Sequence, residues 1–149
     1  MSVLFRDASI EDVPEVVALL RDDTLGGQRE GSDLSQYRHA FRLMQGEGNN
    51  TLVVGELAGR IIATYQLTFI SGLSLRAARR AQIESVRVAG DVRGQKIGEA
   101  MLSDAEMRAR DAGCSLLQLT MNKTRKDSAR FYERLGFTPS HIGYKRDLT

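Results

Sequence analysis

The chain is poor in the residues that mark secreted, disulfide-linked or membrane proteins. Among its 149 residues there are one cysteine, two prolines and no tryptophan. A single cysteine excludes an internal disulfide and fits a reducing compartment. No apolar run approaches the roughly 20 residues that span a bilayer, and the N-terminal residues lack the apolar region of a secretory signal. The sequence therefore predicts one cytoplasmic domain with no membrane partner.

Charge of one sign is also scarce, because 21 Lys and Arg residues nearly balance 19 Asp and Glu residues, for a net charge of +2. The basic residues cluster in two groups, which are Arg76, Arg79 and Arg80, and Lys123, Arg125, Lys126, Arg130 and Arg134. No nucleic-acid motif accompanies either group, so we expect no nucleic-acid partner. The two histidines, His39 and His141, have no metal-ligand spacing, and no metal site is predicted.

Hydrophobic periodicity predicts the element order β-α-α-β-β-β-α-β-α-β over a single domain of residues 1–149. Strands are expected at residues 4–8, 51–57, 61–69, 79–88 and 115–121, and a final pair at 137–138 and 142–148. Between the first two helices, residues 22–33 have no periodicity and contain three glycines. A loop of this length is often functional. The order predicts a mixed α/β fold with helices on both sides of the sheet.

One segment suggests a ligand. The β-branched stretch Val86 to Val88 leads into the basic, glycine-bearing turn Arg93 to Gly98, within which a helix starts. A strand–turn–helix of this kind directs several backbone N–H groups at one point, where the helix dipole also favours negative charge. The segment therefore predicts a phosphate-bearing ligand, and the alternative is an ordinary connection between a strand and a helix.

Two stretches of the chain resemble the two signatures of the GNAT family of N-acetyltransferases. The first is Gln82 to Val88 followed by Arg93 to Leu102, and the second is Asn122 followed by residues 129–137. The predicted element order matches the family over essentially the whole chain. The resemblance implies one N-acetyltransferase domain with a mixed, mostly antiparallel sheet of about seven strands, flanked by helices on both faces.

The resemblance also implies acetyl-CoA as co-substrate. The strand holding Val86 and Val88 is implied to splay from its neighbour at a bulge and to pair with the pantetheine arm, while the turn wraps the pyrophosphate. Lys96 replaces the family's usual glycine, which puts a positive φ at that position in doubt but not pyrophosphate binding. The implied coenzyme residues are Val86, Arg87, Val88, Arg93, Gly94, Gln95, Lys96, Ile97, Gly98, Asn122 and Tyr132. For Asn122, which would bind the pantetheine or a water, the alternative is a turn-forming role.

Acetyl transfer to an amine needs a base for the amine and an acid for the leaving thiolate. Glu84 is the candidate base, and counting alternate residues places it on the same face as Val86 and Val88. Its alternative is a surface carboxylate, or one paired with Arg79 or Arg80. Tyr132 is the candidate acid, as the resemblance implies, because a phenol stays protonated at neutral pH. Its alternative is a core aromatic residue.

The acceptor site is implied to involve the first two helices, their loop and nearby strand ends. Candidate acceptor residues are Glu30, Tyr37 and Gln66. We therefore expect an acetyl-CoA-dependent N-acetyltransferase that acylates a primary amine, either a small molecule or a peptide, by direct attack in a ternary complex. The alternative is a non-catalytic acyl-CoA-binding sensor or regulatory module. Many family members dimerise, so a homodimer is a further expectation.

Overall fold

The computed structural model describes residues 2–22 and 26–149, and the elements follow the predicted order as far as the last helix. The strands are β1 (Leu4–Asp7), β2 (Asn50–Leu57), β3 (Arg60–Ile70), β4 (Arg80–Val88) and β5 (Leu116–Leu119). The helices are α1 (Val13–Arg21), α2 (Gly26–Arg29), α3 (Leu34–Glu47), α4 (Ser74–Ala77), α5 (Ile97–Asp111) and α6 (Lys126–Arg134). Within α4, Leu75 and Arg76 have left-handed dihedral angles, so this element is a tight turn rather than a regular helix.

The sheet has the order β1-β2-β3-β4-β5. The pairs from β1 to β4 are antiparallel, and β5 joins β4 in parallel. The β2–β3 hairpin turns at Ala58 and Gly59, whose φ angles of 50° and 78° are those of a tight hairpin turn. The expected mostly antiparallel mixed sheet is confirmed.

Helices cover both faces of this sheet, as the sequence predicts. On one face, Met101 and Ala105 of α5 belong to the main buried cluster together with Tyr65 and Leu67 of β3. On the other face, α1 packs Val16 against Val54 of β2. Side chains alternate between the two faces of a strand, so β2 and β3 contribute to two separate hydrophobic layers.

The expected final strand pair is wrong, because the sheet has five strands rather than about seven. Residues 135–149, all of which the structure describes, form no strand. Pro139 has no N–H for a ladder. Of the alternating side chains, Ile142 and Tyr144 remain 80% and 91% exposed, and Arg146 interrupts the apolar stripe. The stretch therefore buries neither face, and alternation alone does not make a strand.

The predicted loop at residues 22–33 contains one short helix, α2, and its residues 23–25 lie outside the described part of the chain. The next helix, α3, begins after Asp33, whose side chain accepts a hydrogen bond from the Ser35 N–H. Cys114 packs partly buried against the main cluster, and burial raises the pKa of its thiol. Within the described residues, no helix is both long and apolar enough to cross a membrane.

Candidate coenzyme and acceptor site

The central strand of the candidate site, β4, carries a bulge. Between the pairs Gln66–Glu84 and Thr64–Arg87, β4 contains one residue more than β3. Ser85 takes up the extra length with a left-handed φ of 55°. A non-glycine residue in this region is uncommon, and such bulges occur preferentially next to functional sites.

The bulge lies where β4 separates from β5. The parallel ladder ends at the pair Ile83–Leu119, although β4 continues through Val88. The last part of β4 is therefore paired with β3 alone, and its edge on the β5 side takes part in no ladder. Of the features that the family resemblance implied, the bulge and the end of the pairing with the neighbouring strand are present.

The bulge also changes which side chains share a face, and the counting of alternate residues for Glu84 is wrong. Directly paired residues lie on the same face, and Val88 pairs with Ala63 whereas Glu84 pairs with Gln66. Ala63 and Gln66 are three positions apart on β3, so they point to opposite faces. Glu84 therefore lies on the face opposite to Val88.

Glu84 has an exposed side chain, and among the described residues it makes no hydrogen bond or ion pair. Of the two arginines that were alternative partners, Arg79 donates to the Ala112 carbonyl and stacks 5.2 Å from the centre of the Phe69 ring. The carboxylate is therefore accessible on its face of the sheet, and Gln66 is its cross-strand neighbour.

The turn before α5 has two residues in the left-handed region. Gly94 has a φ of 83° and Lys96 has a φ of 62°, and Lys96 is the N-cap of α5. The family's usual glycine at the lysine position thus meets a real conformational requirement, which this chain satisfies with a lysine. A lysine in this region costs on the order of 1 kcal/mol relative to glycine. The backbone N–H groups of the first turn of α5 have no partners within the helix, so they are available to an anion.

Gly98 has a packing role that the sequence does not reveal. A Cβ atom placed on it would lie 3.1 Å from Cζ of the Phe131 ring. The start of α5 therefore meets α6 at very close range. A second contact joins the same two helices, since Arg134 lies 3.6 Å from Glu99. These contacts place α6 beside the turn from Arg93 to Gly98.

The candidate acid, Tyr132, lies on α6 between two aromatic rings. Its ring centre is 5.2 Å from that of Phe131 and 5.8 Å from that of Phe137, both in edge-to-face geometry. Burial raises the pKa of the Tyr132 phenol, while the positive charges of Arg125 and Arg87 act in the opposite direction. The hydroxyl therefore stays protonated at neutral pH. Because the charge of Arg87 acts on the phenol, Tyr132 lies near this residue of β4.

Asn122 forms the turn that was its alternative role. Its Oδ1 accepts hydrogen bonds from the Thr124 N–H at 3.0 Å and from the Thr124 hydroxyl at 2.6 Å. The Asn122 carbonyl also accepts from the Arg125 N–H. The side chain thereby shapes the connection between β5 and α6, the helix that carries Tyr132.

The three predicted acceptor residues fall into two groups. The Tyr37 hydroxyl donates to Glu30 at 2.9 Å and accepts from the Gly31 N–H, so the pair Glu30–Tyr37 fastens the chain before α3. Gln66 instead lies on β3 beside Glu84. Leu52 of β2 links the groups, because it packs with the cluster that includes Tyr37 and pairs with Gln66 of β3.

Sequence reasoning missed Asn50 and Glu47, which hydrogen-bond to one another and through Asn50 to Gln66. Neither residue belongs to a motif, and the only signal is that Asn50 lies at the start of a strand. Two cavities of about 290 and 350 Å³ lie along the C-terminal half of α5, and neither is lined by a predicted site residue. The described residues contain no group of three His, Cys, Asp or Glu side chains that could hold a metal ion.

Comparison with known proteins finds a matching family model and similar solved structures. The model of the acetyltransferase (GNAT) family matches residues 14–137. The chain is 39% identical to a solved structure described as a transcriptional regulator from Bacillus halodurans C-125, covering 99% of this chain and 100% of that chain with a TM-score of 0.95.

Two further similarities are more limited. A predicted acetyltransferase from Clostridium acetobutylicum, solved with acetyl-CoA, is 18% identical over 99% of this chain and 97% of that chain, with a TM-score of 0.75. At this identity the likeness shows the fold alone. An aminoalkylphosphonate N-acetyltransferase from Salmonella typhimurium is 42% identical over 67 residues, which are 45% of this chain and 44% of that protein. The match therefore spans less than half the length of this relative.

Proposed function

Because the chain belongs to the acetyltransferase (GNAT) family, we propose that it transfers the acetyl group of acetyl-CoA to a primary amine by direct attack in a ternary complex. The observation that carries the proposal is the separation of β4 from β5 at the Ser85 bulge, next to the left-handed turn before α5. The backbone edge of β4 that does not pair with β5 suits an extended pantetheine arm, and the turn suits a pyrophosphate.

The residues that would hold acetyl-CoA are those of β4 from Val86 to Val88 and the turn from Arg93 to Gly98, with Asn122 nearby. Bound acetyl-CoA supplies an activated acetyl thioester. The ammonium of Lys96 and the guanidinium of Arg93 add positive charge where the α5 dipole already favours an anion. The left-handed angles of Gly94 and Lys96 support this assignment because they bend the backbone around one point.

The transfer requires proton movements at the nitrogen and at the sulfur, which we assign to Glu84 and Tyr132. Glu84 takes a proton from the ammonium form of the acceptor, so that the nitrogen lone pair becomes available. The nitrogen then forms the C–N bond as the C–S bond breaks, and the Tyr132 hydroxyl gives its proton to the leaving sulfur. The second proton, which the amide nitrogen cannot keep, passes to the Tyr132 phenolate and restores the hydroxyl. A raised phenol pKa supports this role, because the hydroxyl retains its proton at neutral pH.

The role of Tyr132 is tested by Tyr132→Phe, which keeps the ring and removes the proton. We expect kcat to fall by about 100-fold, with acetyl-CoA affinity from calorimetry changed by less than about twofold. Tyr144→Phe is the matched control, since this tyrosine is 91% exposed in the C-terminal segment. Unchanged turnover in Tyr132→Phe overturns the assignment.

The role of Glu84 is tested by the pH–rate profile of Glu84→Gln, with the exposed Glu11→Gln as control. Removing the base should lower the rate and alter the limb along which the rate rises with pH. If that limb and the rate both match those of the parent, Glu84 is not the base.

The acceptor class is suggested by the relative that acts on aminoalkylphosphonates. Thr64 pairs with Arg87 as Gln66 pairs with Glu84, so the Arg87 and Glu84 positions lie on one face of the sheet. A carboxylate for the amine and a guanidinium for an anionic group suit a small amine that carries an acid. Aminoalkylphosphonates therefore belong in the first substrate panel beside simple alkylamines.

The alternative function is a non-catalytic acyl-CoA-binding sensor or regulatory module, and the relative described as a transcriptional regulator favours keeping it. Coenzyme release measured with the amine panel separates the two functions. Acetyl-CoA binding without release of CoA for any amine would favour the regulatory module.

A further inference from the structure

A chain of hydrogen bonds on the Glu84 face of the sheet links three polar side chains. Asn50 Nδ2 donates to Glu47 Oε2 at 2.9 Å, and Gln66 Nε2 donates to Asn50 Oδ1 at 2.8 Å. The Thr68 hydroxyl lies 3.4 Å from the same Asn50 oxygen and can donate to it. The chain runs from the end of α3, across the start of β2, to the middle of β3.

This series of hydrogen bonds fixes the direction in which the oxygen and the NH2 group of each amide point. An ionised carboxylate only accepts hydrogen bonds, so Glu47 requires the NH2 group of Asn50. The Asn50 oxygen must then face Gln66, which has to offer its own NH2 group. Gln66 Oε1 is left with no donor among the described residues. The carboxylate of Glu47 thus sets, through Asn50, the orientation of a side chain one strand further away.

The remaining Gln66 oxygen lies next to a second group that only accepts. Gln66 and Glu84 are direct cross-strand partners on one face, a relation that places Cβ atoms about 5 Å apart. Among the described residues, Glu84 has no hydrogen-bond or ion-pair partner, and its side chain is exposed. Two neighbouring acceptors with no donor between them suit a ligand that brings several donors and a positive charge.

We infer that Gln66 Oε1 and the Glu84 carboxylate form a binding subsite for the ammonium form of the acceptor, with Asn50 and Glu47 as positioning residues. The inference rests on the proposed function for the identity of the ligand. An ammonium has three N–H donors and a positive charge, whereas a hydroxyl has one donor and no charge. The subsite therefore selects amines over alcohols and presents the nitrogen to the same carboxylate that removes its proton.

A neighbouring pair of side chains on the same face provides a contrast. Gln82 Oε1 accepts from Gln118 Nε2 at 2.6 Å, so this glutamine oxygen is already used. Its cross-strand partner is Thr68 rather than a carboxylate. Gln82 has the same side chain and the same face as Gln66 but lacks both features of the subsite, which makes it a matched control.

Binding is measured with n-butylammonium chloride added to the CoA-bound protein, followed by the NMR signals of the side-chain amide groups. We expect a saturable shift of the Gln66 signal, and no such shift with n-butanol. Gln66→Met, which keeps the length and removes the amide, should weaken n-butylammonium binding by at least about tenfold. Gln82→Met should leave it unchanged within about twofold.

The positioning role of Asn50 has a separate signature. Asn50→Leu should weaken binding to the same extent as Gln66→Met, because Gln66 can then rotate its NH2 group toward Glu84. Asn50→Asp retains an acceptor for Gln66 Nε2 and should restore binding to within about threefold of the parent. A merely structural role of Asn50 would not produce rescue by this variant together with loss in the other.

The outcomes separate the subsite from the proposed reaction. If n-butylammonium gives no saturable shift, or binds Gln66→Met as tightly as the parent, the subsite is overturned even when acetyl transfer occurs. If n-butylammonium binds as expected and no amine in the panel releases CoA, the subsite stands and the proposed reaction fails.

Discussion

The central strands of the sheet and the last 40 residues of the chain are covered to very different extents. In β3, Ile62, Tyr65 and Leu67 are at most 1% exposed. By contrast, no residue from Arg110 to Thr149 is fully buried. These 40 residues nevertheless include α6, whose aromatic residues are only partly buried against the main cluster. The central strands are stabilised by their own packing, whereas the last 40 residues offer half-covered apolar surface.

Carboxylates show the same difference. Asp12 accepts two hydrogen bonds from Arg6, at 2.7 and 3.0 Å, and one from the Ser9 N–H at 2.8 Å. Asp147 accepts from the N–H and hydroxyl of Thr149, its near neighbour in sequence. The pKa of both carboxyls is lowered, in Asp12 chiefly by the Arg6 hydrogen bond and in Asp147 chiefly by the Thr149 backbone. Only the first arrangement ties separate parts of the fold together.

The largest contrast should come from removing the same side chain in the two regions. Leu67→Ala creates a cavity in the core and should lower the free energy of unfolding by about 3 kcal/mol. Leu148→Ala alters a side chain that is 91% exposed and should change it by less than about 0.5 kcal/mol. Urea denaturation of both variants measures the difference. Comparable losses would mean that the C-terminal segment is packed in solution.

A smaller effect is expected from the carboxylates. Asp12→Asn weakens the Arg6 and Ser9 contacts and should cost about 2 kcal/mol at neutral pH. A lowered folded-state pKa stabilises the fold above the unfolded value, near 4, and this contribution is lost as pH falls through the folded value. The difference in the free energy of unfolding between the parent and Asp12→Asn should therefore become smaller below about pH 4.

The control for this experiment is Asp147→Asn, which removes a carboxyl with the same direction of pKa shift from the exposed segment. Its unfolding curve should follow that of the parent at each pH. If the difference in the free energy of unfolding between the parent and Asp12→Asn becomes larger as the pH falls, the assigned role of the carboxylate is contradicted.

The smallest effect concerns the turn where the sheet leads into α5 and meets α6. Lys96→Gly relieves a left-handed φ and should stabilise the coenzyme-free chain by about 0.5–1 kcal/mol. Lys96→Ala keeps the unfavourable φ and should bring no gain. Both variants remove the ammonium, so calorimetry should show similar weakening of acetyl-CoA binding. Equal stability of the two variants would remove the argument from backbone strain.

Much of the fold was predictable because its signals are local. The apolar spacing of Val13, Val16 and Val17 marks α1, and Ala58-Gly59 marks the hairpin that the structure contains. The final strands were wrong for a related reason, since Ile142 and Tyr144 alternate as in a strand but meet nothing that covers them. A local pattern states which side chains can be buried together and not whether a surface is there to bury them.

The candidate site was predictable only in part. The turn from Arg93 to Gly98 lies in one continuous stretch, so it could be predicted. The left-handed angle of Lys96 was left in doubt, because a lysine rarely adopts it. The face of Glu84 was not predictable, because Ser85 gives no local signal of a left-handed bulge. Asn50 and Glu47 belong to no motif, and their relation to Gln66 depends on β2 and β3 lying side by side.

By itself, the sequence determined the strand, turn and helix of the candidate coenzyme site, since backbone N–H groups that converge on one anion come from neighbours along the chain. Only the tertiary structure decided the arrangement of Glu84 and Gln66, which are candidate acceptor residues. A single extra residue in β4 moved Glu84 to the face that carries Gln66, and hydrogen bonds between three separate elements oriented the Gln66 amide. Register and amide orientation arise from pairing across strands, and a linear pattern contains neither.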